Sequence, residues 1–241
     1  MAQTAILPGV SGESTARQRT MQQRTGKIIA AALDLFCSNG LEDTTIEAVA
    51  KRAGVGPATI YRYFETKAEL AVQCGISYWE KVSGQYLYYL QQPNYQSASG
   101  RDQMAVIFQI FTTIFEEEYL FFKFLQEFDV FARSGRIPPE RLAAYEACIL
   151  NLKPYMTNAL EKGLTDGSLS FFYPVDEVYF TVTHALLALM QKLASTGKIL
   201  QSDERVALAV QVKITGELLL AGLQGCKNFT NRNTQERGFT L

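Results

Sequence analysis

The chain has 241 residues, 47% of them apolar, with 24 acidic and 23 basic side chains and a net charge of −1. That length bounds it to one or two domains, and the apolar share is ample for a buried core. No run of eighteen apolar residues occurs, which excludes a membrane-spanning helix, and the near-zero balance means that nucleic acid cannot be held by bulk charge alone.

The start, MAQTAILPGVSGEST, has no basic region ahead of an apolar stretch and so is not a secretory signal. Its small and polar residues predict a mobile tail over residues 1–18. Residues 20–38 follow with Ile28, Ala31, Ala32, Leu35 and Phe36 on one helical stripe, ended by Asn39-Gly40. Thr44 and Glu47 have the spacing of a capping box for a second helix, which carries Ile46, Val49 and Ala50 on one side and Lys51 and Arg52 on the other. Gly54 suits a sharp turn. Gly56 and Pro57 then suit the cap and first position of a third helix. Thr66 and Glu69 form another capping box, opening a fourth helix that runs to about Leu90.

Gln91 to Gly100 reads as a loop. Residues 101–133 are helical and aromatic, broken near Glu118. Gly135 to Pro139 interrupts the chain, and a helix from Glu140 to about Lys162 contains Pro154, which should bend it or mark a junction. Gly163 to Pro174 is a connection with a candidate extended piece at SLSFF. Two last helices are expected at about 175–195 and 203–224, and the end of the chain is polar. The expected architecture is all-α with about nine helices. A helix-turn-helix bundle spans residues 19–66, a larger bundle residues 67–225, and a polar tail residues 226–241.

The stretch Thr44 to Phe64 is the most specific. Ile46, Val49, Val55 and Ile60 make a shared core, and Ala50 and Ala53 are small where the two helices cross. Ala58, Thr59, Tyr61, Arg62 and Tyr63 are left facing out. A short helix with small, polar and aromatic outward residues fits a DNA major groove. Four basic residues (Arg17, Arg19, Arg24, Lys27) precede it with no acidic one between Ala16 and Ile29, yet residues 16–70 as a whole have an excess of only two positive charges. Affinity for DNA must therefore come from placement and from doubling in a dimer.

Phe36-x-x-x-Gly40, Thr44-Thr45-Ile46, Ala48-Val49-Ala50, Ala53-Gly54-Val55 and Ile60-Tyr61-Arg62-Tyr63-Phe64, followed by Lys67 and Leu70, resemble the TetR family of transcriptional regulators. The resemblance covers about residues 20–70; beyond it only the all-α character and two long final helices agree. It implies that Thr45 binds a phosphate, that Pro57, Ala58 and Thr59 face base edges, and that Tyr61 and Tyr63 contact phosphate or sugar. It implies that Arg62 reads a guanine or binds phosphate, and that Lys67, with Arg24 and Lys27 of the first helix, adds backbone contacts. Gly56 departs from the serine often found at its position and removes one side-chain cap. The resemblance also implies a homodimer built on the last two helices, through Val178, Val182, Leu186, Leu189 and Leu193 and through Val210, Ile214 and Leu218. A dimer sets two recognition helices at half-sites roughly 34 Å apart.

Fifteen of the 28 aromatic residues fall between Tyr78 and Phe131, enough to line an apolar pocket or to fill a core. The family resemblance implies a small-molecule effector there, and an apolar or aromatic one is expected. Trp79, Tyr86, Phe108, Phe111, Phe115, Phe128 and His184 are the candidate pocket residues. His184, the one histidine, has no histidine or cysteine at i+4, and Cys37, Cys74, Cys148 and Cys226 lie far apart, so no metal site is indicated. The cysteines read as buried free thiols in a reducing cytoplasm. No paired nucleophile and base, metal spacing or phosphate loop marks an enzyme, and no catalytic residue or cofactor is expected. The expected function is a cytoplasmic, ligand-responsive regulator, a homodimeric repressor that binds a double-stranded operator and is released by its effector. A helical protein-interaction module that keeps the fold without DNA binding is the alternative.

Overall fold

A computed structural model describes residues 11–134, 137–149, 152–197, 199 and 205–225, with side chains from residue 19. Among these residues there are eleven α-helices and no strand, so the all-α expectation is met. Two helices more than the expected nine arise from a short helix inside the 91–100 loop and from a split at Pro154.

Helix α1 (Ser11–Asn39) begins well inside the stretch expected as tail, so residues 11–18 are helical. Residues 1–10 of that tail and the polar tail 226–241 lie outside the described residues. The stripe is as expected: Ile28, Ala31, Ala32 and Phe36 are buried, and Gly40 at φ +92° ends the helix with its N–H on the Phe36 carbonyl at 3.0 Å. Helix α2 (Ile46–Ala53) is capped by Thr45, not by Thr44 as the capping-box spacing suggested. Thr45 has the extended backbone an N-cap needs (φ −93°, ψ 155°), and its hydroxyl accepts the Ala48 N–H at 3.1 Å. Thr44 is buried instead, donating to the Gly40 carbonyl at 2.7 Å.

Gly54 closes α2 in the left-handed region at φ +68°. Its N–H bonds to the Lys51 carbonyl at 3.3 Å and that of Val55 to the Ala50 carbonyl at 3.0 Å, the paired bonds of a Schellman end. Helix α3 (Pro57–Tyr63) starts after an extended Gly56 with Pro57 in its first turn. Helix α4 (Lys67–Leu90) is capped by Thr66, whose hydroxyl accepts the Glu69 N–H at 3.0 Å. The Glu69 carboxylate engages Gln73 at 3.2 Å and Arg141 at 3.0 Å.

Helix α5 (Pro93–Ser97) sits where a loop was expected; Pro93 opens it, Tyr95 is buried, and buried Gln103 donates to the Tyr95 carbonyl at 2.9 Å. Helix α6 (Gly100–Glu117) and helix α7 (Tyr119–Arg133) are separated at Glu118, the expected break. Helix α8 (Pro139–Ile149) ends before helix α9 (Lys153–Asp166). Pro154 lies in the first turn of α9, where its missing N–H costs nothing, which is why one expected helix became two. Ser168–Phe172 forms no strand; Leu169 and Phe171 are buried, and the Ser170 N–H donates to the Leu223 carbonyl at 2.8 Å. Helix α10 (Val175–Thr196) and helix α11 (Leu208–Leu223) complete the helices of the described residues.

The chain divides into two compact units. The first comprises residues up to Ser77 with Val130–Tyr145, and the second Tyr78–Asp129 with residues from Glu146 on. The first three turns of α4 belong to the first unit. In that unit α2 packs on α1 and α3. In the second, α6 packs on α9 and α11, and α10 on α9 and α11. The approach of α6 to α9 is so close that a Cβ on Gly100 would lie 2.1 Å from the Gly163 nitrogen. Phe115, Phe122, Phe124 and Phe128 are fully buried, each contributing roughly 1.5–3 kcal/mol by burial.

Candidate nucleic-acid interface and ligand cavity

Ile46, Val49, Ala50 and Ile60 are buried and lock α2 against α3, while Ala53 and Val55 are half-buried at the turn. Rotation by one residue from Ile60 brings Tyr61 to the surface, where it is 50% exposed. Pro57, Ala58 and Arg62 are exposed too, and Thr59 and Tyr63 half-buried. The Arg62 guanidinium lies 5.2 Å from the centre of the Tyr63 ring, which steadies a cation on the outer face of α3. Phe64 is core, and its N–H closes α3 on the Ile60 carbonyl at 2.8 Å. This leaves a short helix whose outward face is small at its N-terminus and aromatic and cationic at its end.

Thr45 is exposed at the start of α2. Its oxygen accepts from Ala48, so the hydroxyl proton is left to donate outward. Arg24 and Lys27 are exposed on α1. Arg52 is paired with Asp34 at 2.6 Å. Lys67 has a role that its position did not suggest: its ammonium donates to the Glu42 carbonyl at 2.8 Å and fastens the loop before α2 to the start of α4. No spacing rule reveals a lysine bond to a carbonyl 25 residues away.

The second unit holds a partly open cavity of about 50 Å³. From α4 it is lined by Trp79, Val82, Ser83, Tyr86 and Leu87, one helical face. Ile110, Phe111 and Ile114 of α6 line it, as do Cys148 and Ile149 of α8, with Leu152. Tyr179, Thr183 and Leu187 of α10 complete the described wall, at i, i+4, i+8. Trp79, Tyr86 and Phe111, three of the expected pocket residues, are among those lining this cavity. Phe108 is buried on the α11 side of α6, where a Cβ on Gly216 would lie 3.1 Å from it. Phe115 is core against Tyr119 and Phe122, and Phe128 is core against Phe124. His184 is exposed, 6.0 Å from the Phe180 ring, and is not among the residues lining this cavity. Phe115, Phe128 and His184, expected at a pocket, thus stand outside this cavity, and Phe108 lines a separate cleft with Gly216, Glu217 and Leu220. The signal that was missed is the second stripe of α10, Tyr179-Thr183-Leu187, offset by one residue from its core stripe.

The polar groups of the wall are tied into hydrogen bonds. Tyr86 donates to the Glu117 carboxylate at 2.6 Å, and Gln85 donates to the same carboxylate at 3.3 Å. Burial first, and Glu117 second, push the Tyr86 phenol far above its ordinary range. Burial, with Glu80 adding to it, pushes the Cys148 thiol up. Thr183 donates to the Tyr179 carbonyl at 2.6 Å.

The α10 stripe expected at a dimer interface is largely internal. Val178, Val182, Leu186 and Leu193 are buried within the second unit and Leu189 is half-buried. A side chain buried within its own chain has little area left to bury against a copy, so these four do not supply the exposed apolar surface that the expected interface needs. Val210, Ile214 and Leu218 of α11 are exposed, as is Phe180 of α10. Among the described residues no cluster of His, Cys, Asp and Glu could hold a metal, and no helix is long and apolar enough to cross a membrane.

Comparison with known proteins bears on these features. A sequence model of the family described as "Bacterial regulatory proteins, tetR family" matches residues 28–74. The chain is 29% identical over 90 residues to the fatty acid metabolism regulator protein of Bacillus subtilis, a match spanning 36% of this chain and 44% of that protein. It is 39% identical over 56 residues to the HTH-type transcriptional regulator TcmR of Streptomyces glaucescens, 23% of this chain and 25% of that protein. The chain thus matches less than half the length of these curated relatives. Solved structures agree over more of it. The FadR regulator of Bacillus subtilis in complex with stearoyl-CoA aligns with a TM-score of 0.59 at 19% identity, covering 81% of this chain and 97% of that one. A tetR-family regulatory protein from Rhodococcus RHA1 gives 0.63 at 17% identity, covering 83% and 96%. Thermus thermophilus FadR with lauroyl-CoA gives 0.55 at 20%, covering 83% and 94%. At these identities the structures establish the fold, and the matched segment, residues 28–74, falls on the helix-turn-helix described above, so that over this segment the chain is similar to the tetR family of bacterial regulatory proteins.

Proposed function

We propose that the chain is a ligand-responsive, sequence-specific DNA-binding regulator of transcription, a homodimeric repressor released from its operator by a small apolar effector. The observation that carries this reading is the α2–turn–α3 geometry, with Ile60 fully buried and Tyr61 and Arg62 exposed beside it. Pro57, Ala58 and Thr59 enter the major groove, with apolar contact to a thymine methyl, and Arg62 takes a guanine edge or a phosphate. Thr45, Tyr61, Tyr63, Arg24 and Lys27 hold the sugar-phosphate backbone, and Lys67 holds the loop before α2 as well as approaching the backbone.

A single unit with so small a positive excess binds weakly, so two copies are needed. Phe180, Val210, Ile214 and Leu218 are the exposed apolar residues of α10 and α11 that favour a second copy of the chain. The cavity of the second unit supports an effector, because its wall is mostly apolar with a few fixed polar groups. Two structural neighbours hold acyl-CoA molecules, which favours an elongated apolar group in the cavity. Helix α4 contributes residues to both units and lines the cavity through Trp79 to Leu87. An effector acts by binding one arrangement of α4 better than another, and only that difference in affinity can change DNA binding. Operator binding places the work of the protein in the cytoplasm.

The test is the double variant Tyr61→Ala with Arg62→Ala. A folded double variant should lose most of its affinity for duplexes the parent selects, and undiminished affinity would remove α3 as the reading helix.

A further inference from the structure

We propose that the cavity of the second unit takes an apolar ligand ending in a cationic hydrogen-bond donor, an amine or ammonium, received by Glu117 and Tyr86. The inference deepens the effector reading above and rests on it only in taking this cavity as the ligand site.

Two hydroxyls of the wall, those of Tyr86 and Thr183, have their protons engaged and are left to accept. The proton of Tyr86 is committed to Glu117 at 2.6 Å, and that of Thr183 to the Tyr179 carbonyl at 2.6 Å. Each hydroxyl therefore turns lone pairs to any newcomer. Among the described lining residues none is basic. The two lysines nearby are engaged: Lys81 pairs with Glu118, and Lys153 pairs with Asp176 at 3.2 Å while lying 5.0 Å from the Phe180 ring centre. A buried anion would lose its water, and Lys153, 5.7 Å from the centre of the Tyr179 ring, already pairs with Asp176.

Carboxylates surround the wall. Glu117 acts on Tyr86, Glu80 on Cys148 and Asp176 on Tyr179. At all three lining groups burial, which penalises charge of either sign, is the larger cause, and the carboxylate adds a smaller effect that sets a cation above an anion. A cation gains from that smaller field and, beside Tyr86, from a charge-assisted bond to Glu117.

Trp79 is the one tryptophan of the chain and lines the cavity, so its fluorescence reports occupancy without DNA. Decylamine, decanol and decanoate, titrated into the full chain below their aggregation concentrations, share one tail and differ in end group. Decylamine should bind about tenfold or more tighter than decanoate, with decanol between, the difference expected of one hydrogen bond to a charged group. Glu117→Gln, at an exposed position, should bring the amine and the alcohol close together, and Tyr86→Phe should weaken the amine with little effect on the alcohol. Decanoate binding as tightly as decylamine, an amine preference unchanged in both variants, or no saturable change with any probe would each overturn the proposal. A chain that reads DNA but prefers decanoate refutes this inference alone. A chain that prefers the amine but binds no duplex refutes the regulator reading alone.

Discussion

In the first unit Ile60 is fully buried while its neighbours Tyr61 and Arg62 are exposed; in the second, Phe121, Phe122, Phe124 and Leu125 are all buried within one helical turn and a half. The contrast is one of constraint. A helix of seven residues with a buried side and an outward side must alternate in register with its turn, so each residue type marks its own place. A helix enclosed on several sides carries apolar residues at every angle. Its pattern then says that it is buried without saying which ring fills core and which lines space.

This comparison can be broken at the second unit first. Phe124→Ala, which empties a fully buried site, should lower stability by about 3–5 kcal/mol, read from a shift in the urea midpoint. A loss under about 1 kcal/mol would mean that the aromatic cluster is loosely packed. Gly100→Ala comes next. Its Cβ would press on the backbone of Gly163, and a loss of about 1–3 kcal/mol is expected, with no specific effect on a DNA-binding face.

In the first unit the effects are smaller and local. Gly54→Ala places a side chain at φ +68° and should cost about 1–2 kcal/mol, although open space surrounds the position. Thr45→Ala removes the cap of α2 and should cost about 1 kcal/mol, with a loss of duplex affinity beyond what stability explains. The smallest change in stability belongs to Tyr61→Ala with Arg62→Ala. Thermal denaturation should move by no more than about 0.5 kcal/mol while duplex binding collapses. A large loss of stability there would mean that the outer face of α3 is structural.

Legibility in the sequence follows the same line. The helix-turn-helix could be read residue by residue, because Gly54, Pro57 and Ile60 each have one physical reason to stand where they do. Even there the cap moved from Thr44 to Thr45, since two adjacent threonines offer the same chemistry and only the burial of Thr44 separates them. The break at Glu118 and the junction at Pro154 were legible through composition. Helix α5 was not, because its support is a bond from Gln103, in the next helix, to the Tyr95 carbonyl. Of the expected pocket residues, Trp79, Tyr86 and Phe111 line the cavity of the second unit. Phe108, Phe115 and Phe128 stand outside it because the packing of α6 on α11, and of the phenylalanines of α7 on one another, decides which side of a helix faces space. His184 was drawn in by its rarity and lies outside. The α10 stripe expected at a dimer interface is largely buried for a related reason: the more regular of two apolar stripes is the internal one.

The central claim is that α3 reads a duplex as half of a symmetric pair. Its most direct test is selection of bound duplexes from a randomised pool by the full chain. The account predicts enrichment of a two-fold symmetric sequence whose binding weakens steeply as salt rises. Failure to enrich any sequence, even at low salt, would contradict it.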